Sequence, residues 1–497
     1  MAQNEAVDVV VVGGGAAGCV VAARLSEAKS RSVLLLEAGP DLRSNTPPDL
    51  RDGWRITREF DWGLESEPDE AGVVERVRRC RLLGGTSWVT RFAVRGAPAD
   101  FEEWVDLGNP GWGFEDVLPY FMRLEADVDF GDQPWHGDKG PIPVDRYRRV
   151  QASEMGEAAT RAIEAVGFPS IDDHNRPGAV GLGRMPMTSR EGMRVSVADA
   201  YLPLSESPAN LVIRPGAQVS HVVFKGTRAR GVQLVNGTVI DADWVVISAG
   251  AFGSPPILMR SGIGSAEYLR SIGIPVLVDL PGVGANLGDH PGVDVDCGYG
   301  GTARTAPVLH SIATFHSETT SASEPPDLML WVSDPVQTGD GPAAFTIDVV
   351  LLKPRSRGSV LLRSADPMDP PRVRLPGVRK QADVDRLAEG YRLGLEVANR
   401  PEVRHLCETP TLKLPDPEDL RRMIQEDAYP IPHYVGTCSM GPSADRGAVV
   451  DASGRVHGTD RLSVIDASIM PSLPSGFPHL PTIMIAERLS EQLHSVI

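Results

Sequence analysis

The chain has 497 residues and a mass of 53.4 kDa, which exceeds one ordinary hydrophobic core and predicts two or more domains. Its composition, 41% hydrophobic and 23% charged residues, is that of a soluble globular protein. The formal net charge of −17 argues against a nucleic-acid partner, because phosphate binding needs a basic surface.

The cysteines and the amino-terminal segment bear on the compartment. The five cysteines are scattered and form no CxxC pair, so neither a disulfide framework nor a structural zinc site is predicted. Residues 7–23 are mostly apolar, but Asp8 and four glycines interrupt them, and no basic segment precedes them. We therefore expect a cytoplasmic protein with no targeting segment and no membrane span.

The amino-terminal stretch VDVVVVGGGAAGCVVAARLSEAKSRSVLLLEAG (7–39) predicts a strand, a glycine turn, a helix and a second strand. In its Gly-x-Gly-x-x-Gly pattern, Gly13 permits the tight turn, Gly15 lets the backbone approach a pyrophosphate, and Gly18 permits close helix–strand packing. The helix N-terminus would bind the pyrophosphate, and Glu37, after the second strand, would accept hydrogen bonds from the adenosine ribose. The pattern predicts a dinucleotide cofactor and leaves NAD and FAD both open.

Further elements follow in chain order. Residues 76–81 hold a cluster of four arginines, interpreted as a solvated or acid-paired strand face. Residues 101–125 predict a helix with an aromatic, buried face, and His136 in the turn region after it is expected to be structural. Residues 211–250 predict short alternating strands with turns at Lys225-Gly226 and Asn236-Gly237, and residues 382–403 predict a helix.

These elements predict an α/β (α+β) protein with three regions. Residues 1–295 would form a dinucleotide-binding part, with surface excursions at about 40–75 and 145–195. Residues 296–428 would form mainly a substrate domain built from sheet strands, and residues 429–497 would return to the first domain.

The stretch IPHYVGTCSM (431–440) brings together His433, Cys438 and Met440, side chains that soft metals prefer. A metal site is not predicted, because no cluster of acidic or histidine ligands accompanies them, and Cys438 and Met440 are more simply packing residues. His433 is then either a core histidine or a base.

Four stretches resemble the glucose-methanol-choline (GMC) oxidoreductases. They are the amino-terminal stretch 7–39, here called the cofactor cradle, RLLGGTSW, GAFGSPPILMRSGIG (250–264), and the block from His433 to Glu487. NLGDHP around Asp289 is similar to another family segment. The resemblance implies an FAD/NAD(P)-binding Rossmann-like domain beside an antiparallel-sheet substrate domain, with FAD held at their interface. It also implies a small-molecule alcohol as substrate and dioxygen or another electron acceptor.

Matched motif by motif, the family implies which residues hold FAD. The adenosine half would lie on Gly13, Gly15, Gly18, Glu37 and the backbone of Val219. The full implied set is Gly13, Gly15, Ala16, Ala17, Gly18, Glu37, Ala38, Gly85, Thr86, Ser87, Thr90, Val219, Ala249, Gly250, Asp466, Ala467, His479, Pro481 and Thr482. Thr90 takes the family's usual Asn position, and Val89 stands where some members attach FAD through histidine, so non-covalent FAD is expected.

The same resemblance gives His433 and His479 catalytic roles. Alcohol oxidation removes a hydroxyl proton and transfers a hydride to flavin N5, and a neutral histidine near the hydroxyl serves as the base. His433 is the implied base and His479 the implied partner, which would orient the hydroxyl. A helix starting after His479, with Pro481 in its first turn, would direct its positive end to the flavin.

The residues leave other activities open. Proteins similar to this family also act as hydroxynitrile lyases, in which the histidine pair would handle cyanohydrin protons. A fatty-acid photodecarboxylase or a non-catalytic flavin-binding protein are further alternatives. Oxidation of a small primary alcohol is the preferred prediction.

Overall fold

The computed structural model describes residues 6–52, 60–69, 72–146, 153–191, 193–206, 208–299, 301, 309–335, 343–408 and 411–497. Parts of the two predicted excursions, residues 53–59, 70–71, 147–152 and 192, lie outside these ranges. The helices are α1 (Ala16–Ser26), α2 (Pro48–Asp52), α3 (Pro98–Asp106), α4 (Phe114–Leu124), α5 (Glu154–Ala165), α6 (Val197–Tyr201), α7 (Gly250–Arg260), α8 (Ala266–Ser271), α9 (Gln381–Ala398), α10 (Pro401–Arg404), α11 (Pro417–Asp427) and α12 (His479–His494). Short 3-10 helices span Gly85–Trp88, Leu204–Glu206 and Ala467–Ile469.

The described strands divide into two large sheets, one three-stranded sheet and four two-stranded sheets. They are β1 (Ala6–Val12), β2 (Val33–Leu36), β3 (Leu64–Glu65), β4 (Arg76–Val77), β5 (Glu125–Asp127), β6 (Ile142–Arg146), β7 (Leu182–Arg184), β8 (Pro186–Met187), β9 (Ser189–Arg190), β10 (Met193–Arg194), β11 (Leu211–Arg214), β12 (Val219–Lys225), β13 (Arg228–Leu234), β14 (Val239–Ile247), β15 (Ile263–Gly264), β16 (Val278–Asp279), β17 (Pro291–Asp296), β18 (Leu309–Phe315), β19 (Leu328–Ser333), β20 (Thr346–Leu351), β21 (Ser359–Leu361), β22 (Arg372–Arg374), β23 (Tyr429–Pro430) and β24 (Leu462–Val464).

The first large sheet carries the dinucleotide-type turn. Its order is β11-β2-β1-β14-β13-β12, and β24 pairs with the second half of β14. Strands β11, β2, β1, β14 and β24 run parallel, while β12 and β13 run antiparallel to their neighbours. Strands buried on both faces have continuous apolar sequences, and for this reason VVVV and VLLL predicted β1 and β2 correctly. The predicted α/β class is confirmed.

The second large sheet has six antiparallel strands in the order β23-β17-β20-β19-β18-β7. Alternate residues of these strands face opposite sides, as the strand period requires. On one side, Leu328, Leu330 and Val349 pack with residues of α5 and α9 in a core of their own. On the other side, Met329 and Trp331 join a separate cluster that contacts the candidate site.

The six-stranded sheet draws on more of the chain than residues 296–428. Strand β7 lies within the predicted excursion at 145–195, β17 ends at the predicted boundary, and β23 follows residue 428. The six-stranded sheet is therefore assembled from several segments of the chain. This matters for the site, because β17 begins directly after His290 and β23 ends three residues before His433.

The single helix predicted over residues 101–125 is wrong, because the segment forms two helices, α3 and α4, separated by the turn Leu107–Gly113. Gly108 and Gly111 take φ of 91° and 81°, a left-handed backbone that ends a helix. The expected aromatic core is confirmed, since Phe101, Trp104 and Phe121 are fully buried.

The strands predicted over residues 211–250 are confirmed, whereas the single helix predicted over residues 382–403 is divided in two at residues 399–400. The strands over 211–250 form β11 to β14 with turns at the predicted positions, and residues 382–403 fall in α9 and α10. All five cysteines are free thiols. Among the described residues, no helix combines the length and apolar character needed to cross a membrane.

Candidate active site

The glycine turn after β1 has two positions at which only glycine fits. A Cβ on Gly18 would lie 1.8 Å from the carbonyl oxygen of Gly13, so α1 could not pack this closely on the turn with any other residue. Gly13 has φ of 97°, and a Cβ there would lie 2.6 Å from the Ser248 carbonyl oxygen. The predicted turn and packing roles of these two glycines follow directly from this geometry.

Gly15 is different, because nothing in the protein requires a glycine there. It precedes α1 with an ordinary φ of −75°, and a Cβ would meet no described atom within 4 Å. The nearby backbone of Gly85 approaches so closely that a Cβ on Gly85 would lie 2.8 Å from Cα of Gly15. The N-terminus of α1 and the Gly85 segment thus border an open space next to unpaired helix amides, which fits a pyrophosphate.

Glu37 lies at the carboxyl end of β2 and closes the turn from the side. Its two carboxylate oxygens accept hydrogen bonds from the backbone amides of Gly14 and Gly39 at 2.8 and 2.7 Å. Its backbone carbonyl accepts from Ala217, two residues before Val219, so the predicted adenosine-side residues lie together. Burial raises the pKa of Glu37 against the effect of these amides.

Asp466 joins its own segment to the start of α7. Its carboxylate accepts hydrogen bonds from the backbone amides of Gly250 and Ser468 and from the hydroxyl of Ser254, at 2.6 to 2.8 Å. This carboxylate places the start of α7, with Ala249 and Gly250, beside Ala467. A Cβ on Gly250 would also enter open space, as at Gly15.

The remaining predicted cofactor residues lie on the same elements. Ala16 and Ala17 form the first turn of α1, and Ala38 follows Glu37. Thr86 and Ser87 lie in the 3-10 helix after Gly84, where Ser87 bonds the protein itself through Gly84 and Val197. Thr90 lies just after that 3-10 helix, and Pro481 and Thr482 lie in the first turn of α12.

The HYVGTCSM segment is attached by backbone hydrogen bonds to the segment that follows Asp466. Cys438 and Met440 donate their amides to the carbonyls of Ser468 and Ile469 at 2.7 and 2.8 Å. The Thr437 hydroxyl donates to the Ala251 carbonyl at 2.8 Å. Cys438 and Met440 belong to the main hydrophobic core, as the packing interpretation expects.

His433 pairs with a second buried histidine, His290, that the sequence interpretation does not assign. Their Nδ1 atoms are 2.9 Å apart. Both backbones are held by one carboxylate, because Asp289 Oδ1 accepts from the amide of His433 at 2.6 Å and from that of His290 at 2.9 Å. Within the described chain, Nε2 of His433 has no hydrogen-bond partner.

His479 is the first residue of α12 and is 7% exposed. Its Nε2 is buried, and neither ring nitrogen bonds to any described residue. No direct bond joins it to His433; the link is Phe477, two residues earlier, whose ring centroid lies 4.9 Å from that of His433. The predicted helix is confirmed, although it includes His479 instead of starting after it.

Aromatic side chains form a wall next to His433. Phe92, Trp331 and Phe477 contact one another with centroid separations of 5.1 to 5.8 Å. Trp331 comes from β19, so this wall belongs partly to the six-stranded sheet. The indole nitrogen of Trp331 is buried and finds no acceptor among the described residues.

The interpretation of the arginine cluster is only partly confirmed. Arg76 forms an ion pair with Asp61 at 2.9 Å, as expected of an acid-paired strand face. Arg79 instead stacks on Tyr434, with the guanidinium carbon 4.4 Å from the ring centroid, and donates to the Pro432 carbonyl at 2.9 Å. It therefore supports the chain on both sides of His433.

His136 is structural, as expected. It belongs to a buried hydrogen-bond network with Glu125 and Asp173. Its two nitrogens lie 2.7 Å from Glu125 and 3.0 Å from Asp173, and despite the opposing effect of burial these hydrogen bonds raise its pKa. Glu125, Asp127 and His136 lie near enough to hold a metal ion. Arg95 and Arg146 already supply positive charge to these carboxylates, which makes a further cation unfavourable there.

Burial controls the protonation of the three site histidines. It lowers the pKa of His290 to about 3 and of His479 to about 4, and it lowers that of His433, whose protonation the neighbouring His290 and the charge of Arg79 oppose further. All three are neutral at pH 7, so each has a lone pair. Burial also raises the pKa of Asp289 to about 7, against the two backbone amides it accepts.

These shifts predict a pH dependence of stability. Below pH 6.5 His479 takes up a proton in the unfolded chain but not in the folded protein. The stability that neutral, buried His479 contributes is therefore complete above pH 6.5 and is lost as the pH falls towards about 4. His479→Asn should therefore reduce the slope of unfolding free energy against pH by about one proton, or about 1.4 kcal/mol per pH unit. Denaturant titrations between pH 4.5 and 6 measure this slope. The exposed His405→Asn is the control, and an unchanged slope in His479→Asn would contradict the prediction.

Comparison with known proteins places this geometry in a family. The amino-terminal GMC oxidoreductase model matches residues 7–292, and the carboxy-terminal GMC oxidoreductase model matches residues 354–486. The chain belongs to the GMC oxidoreductases. The family resemblance read from the sequence motifs is thereby confirmed.

Relatives match over nearly the whole chain. The 5-(hydroxymethyl)furfural oxidase of Methylovorus sp. (strain MP688) is 36% identical and covers 98% of this chain and of its own. The oxygen-dependent choline dehydrogenase of Photobacterium profundum is 31% identical over 99% of this chain and 93% of its own. The crystal structure of pyridoxine 4-oxidase from Mesorbium loti has a TM-score of 0.89 and 31% identity, covering 98% of this chain and 99% of that one.

This GMC oxidoreductase uses FAD and oxidises alcohol-type donors. The predicted architecture, a Rossmann-like FAD domain with a sheet-based substrate domain, is confirmed. The residues present fit the cofactor, because Gly15 faces open space at the N-terminus of α1, where a side chain would obstruct a pyrophosphate.

Proposed function

We propose that this GMC oxidoreductase oxidises a small primary alcohol carried on a flat, uncharged ring, with dioxygen as the final electron acceptor. The supporting observation is the unpartnered Nε2 of His433 beside the aromatic wall of Phe92, Trp331 and Phe477. An imidazole that is neutral at pH 7 can accept a proton there, and aromatic rings favour a planar substrate.

In the proposed reaction, His433 takes the hydroxyl proton of the alcohol at Nε2. FAD, when bound, supplies the acceptor for the hydride that leaves the carbinol carbon. His479 holds the hydroxyl oxygen through a ring N–H, which accounts for a buried histidine without a partner among the described residues. The proposed FAD contacts are Gly15 and Gly85 at the pyrophosphate, Glu37 on the adenosine side, and Gly250 and Ala467 further along.

The ring class is supported by two kinds of observation. The relatives include a 5-(hydroxymethyl)furfural oxidase and a pyridoxine 4-oxidase, whose named compounds carry a hydroxymethyl group on a ring. The buried Trp331 indole N–H offers a hydrogen bond to a ring oxygen or nitrogen. A quaternary ammonium has no lone pair to accept this hydrogen bond and would leave the indole N–H unpaired, which makes a choline-like substrate less favourable. The word oxidase in both names supports dioxygen as acceptor.

A rapid-mixing experiment tests the proposed function. The purified yellow protein is mixed without oxygen with 5-hydroxymethylfurfural, pyridoxine, benzyl alcohol and choline, and flavin absorbance is followed. Bleaching by the ring alcohols, and recovery on admitting air, are expected. Bleaching by none of them would contradict the proposal, and cyanide release from a cyanohydrin without bleaching would indicate a hydroxynitrile lyase.

Trp331→Phe tests the role of the indole nitrogen. Phenylalanine keeps the packing against Phe92 and Phe477 but removes the N–H, so KM for 5-hydroxymethylfurfural should rise by about fivefold, the loss of one hydrogen bond of about 1 kcal/mol. Benzyl alcohol lacks a ring acceptor and is the matched control, with an unchanged KM expected. An equal rise for both alcohols would show that Trp331 acts through packing alone.

A further inference from the structure

We propose that His290 is a positioning residue that holds the proton of His433 on Nδ1 and thereby leaves Nε2 as the basic nitrogen. This inference rests on the proposed function in taking His433 as the base, but its geometry does not depend on the substrate. The Nε2 edge of the His290 ring lies against a backbone carbonyl, whereas Nδ1 lies against His433.

The Pro474 carbonyl fixes the tautomer of His290. The distance from His290 Nε2 to the Pro474 oxygen is 3.2 Å, and a carbonyl can only accept a hydrogen bond. A lone pair on Nε2 would face the lone pairs of that oxygen, so Nε2 carries the hydrogen. Because burial keeps His290 neutral at pH 7, its Nδ1 then has the lone pair.

The tautomer of His433 follows from that of His290. The two Nδ1 atoms are 2.9 Å apart, so one must donate to the other. His290 Nδ1 has no hydrogen to give, and therefore His433 Nδ1 donates. The single remaining lone pair of neutral His433 is then on Nε2, which is the nitrogen without a described partner. A histidine with the hydrogen on Nε2 would have no base at that position.

The protein holds in place both ends of the hydrogen-bonded row formed by His433, His290 and the Pro474 carbonyl. Asp289 binds the backbone amides of both histidines through one oxygen, which fixes the spacing of the two rings. Beside Pro474, Lys353 Nζ donates to the Leu473 carbonyl at 2.7 Å and forms an ion pair with Asp100 at 2.9 Å. The positive charge of Lys353 also disfavours protonation of His290.

The same geometry shows that His290 orients and does not conduct. A relay would need a group beyond His290 that can take up a proton, and the backbone groups of Pro474 and Leu352 that bond its ring have no such capacity. The proton taken by His433 Nε2 therefore stays on the substrate side of the ring.

Nitrogen NMR of the FAD-loaded protein, labelled with ¹⁵N in its histidine rings, tests the inference directly. The His433 signals are assigned by their loss in His433→Gln. In the wild type at pH 7 we expect a hydrogen on Nδ1 and none on Nε2. A His433 ring with its hydrogen on Nε2 would overturn the proposal even if the enzyme oxidises alcohols.

Two variants of His290 provide a second readout. His290→Leu removes the acceptor, so the hydrogen of His433 should redistribute to Nε2 and flavin reduction should slow by about 10- to 100-fold, the range for removing an orienting partner. His290→Asn places an amide oxygen near the Nδ1 position and should restore both the Nδ1–H signal and most of the rate. Substrate affinity should change little in either variant.

The outcomes separate the two proposals. If His290→Leu keeps the Nδ1–H signal and the wild-type rate, the positioning role is wrong. If the wild type shows the Nδ1–H signal but none of the tested alcohols reduces its flavin, the positioning role stands and the proposed function fails. Thermal unfolding and FAD content of each variant establish that the proteins compared are folded.

Discussion

His433→Ala is expected to bind FAD normally and to be reduced by its alcohol substrate about 10²- to 10⁴-fold more slowly than the wild type, the range for losing a general base. The ring bonds His290 and packs against Phe477, and the segment is attached through backbone bonds that the substitution leaves in place. Anaerobic stopped-flow measurement of flavin bleaching gives the rate, and the visible absorbance of the purified protein gives the FAD content.

The control for His433→Ala is His405→Ala, which removes an exposed imidazole directly after α10. It should leave the rate unchanged. A His433→Ala protein that retains FAD and is reduced at the wild-type rate would show that another group takes the proton. A protein that loses FAD as well would show that His433 supports the cofactor, and the base assignment would lose its support.

Gly15→Val is expected to weaken FAD binding by about 10- to 100-fold, because overpacking a close-fitting contact costs about 1 to 3 kcal/mol. The backbone at Gly15 is compatible with any L-residue, and its Cβ would project into open space in the protein without cofactor. The folded apoprotein should therefore keep its secondary structure. Fluorescence titration with FAD and circular dichroism measure the two quantities separately.

Gly18→Ala is the matched comparison in the same turn. Its Cβ would lie 1.8 Å from the Gly13 carbonyl oxygen, so the turn itself must move, and both the fold and FAD binding should suffer. Gly15→Val with unchanged FAD affinity would contradict the assignment of the open space to the pyrophosphate. Equal thermal destabilisation by the two substitutions would show that Gly15 serves packing instead.

Local patterns are sufficient to predict the cofactor half. The valine and leucine runs of β1 and β2 determine buried strands, and the glycine spacing determines the turn, because both depend on neighbouring residues alone. The break between α3 and α4 escapes prediction because residues 101–125 keep an apolar pattern across Gly108 and Gly111. The signal for the break is the two glycines, because both take a positive φ. In the sequence prediction the apolar pattern outweighs this signal.

The pairing of His290 with His433 is out of reach of the sequence. NLGDHP is recognisable as a segment, but the two histidines are far apart in the chain, and only the position of β17 beside β23 brings their segments together. The same holds for Arg79, which the sequence groups with solvated arginines because its neighbours carry charge. Its stacking on Tyr434 depends on a segment from a distant part of the chain.

The anchoring of the HYVGTCSM segment has an evolutionary consequence. Residues 437–440, after His433, are hydrogen-bonded to residues beside the cofactor cradle, whereas Trp331 lies on β19 of the six-stranded sheet. Side-chain substitutions on β19 leave these hydrogen bonds in place. Such a division lets a lineage exchange one donor molecule for another by drift at a few wall positions, without rebuilding the chemical step each time.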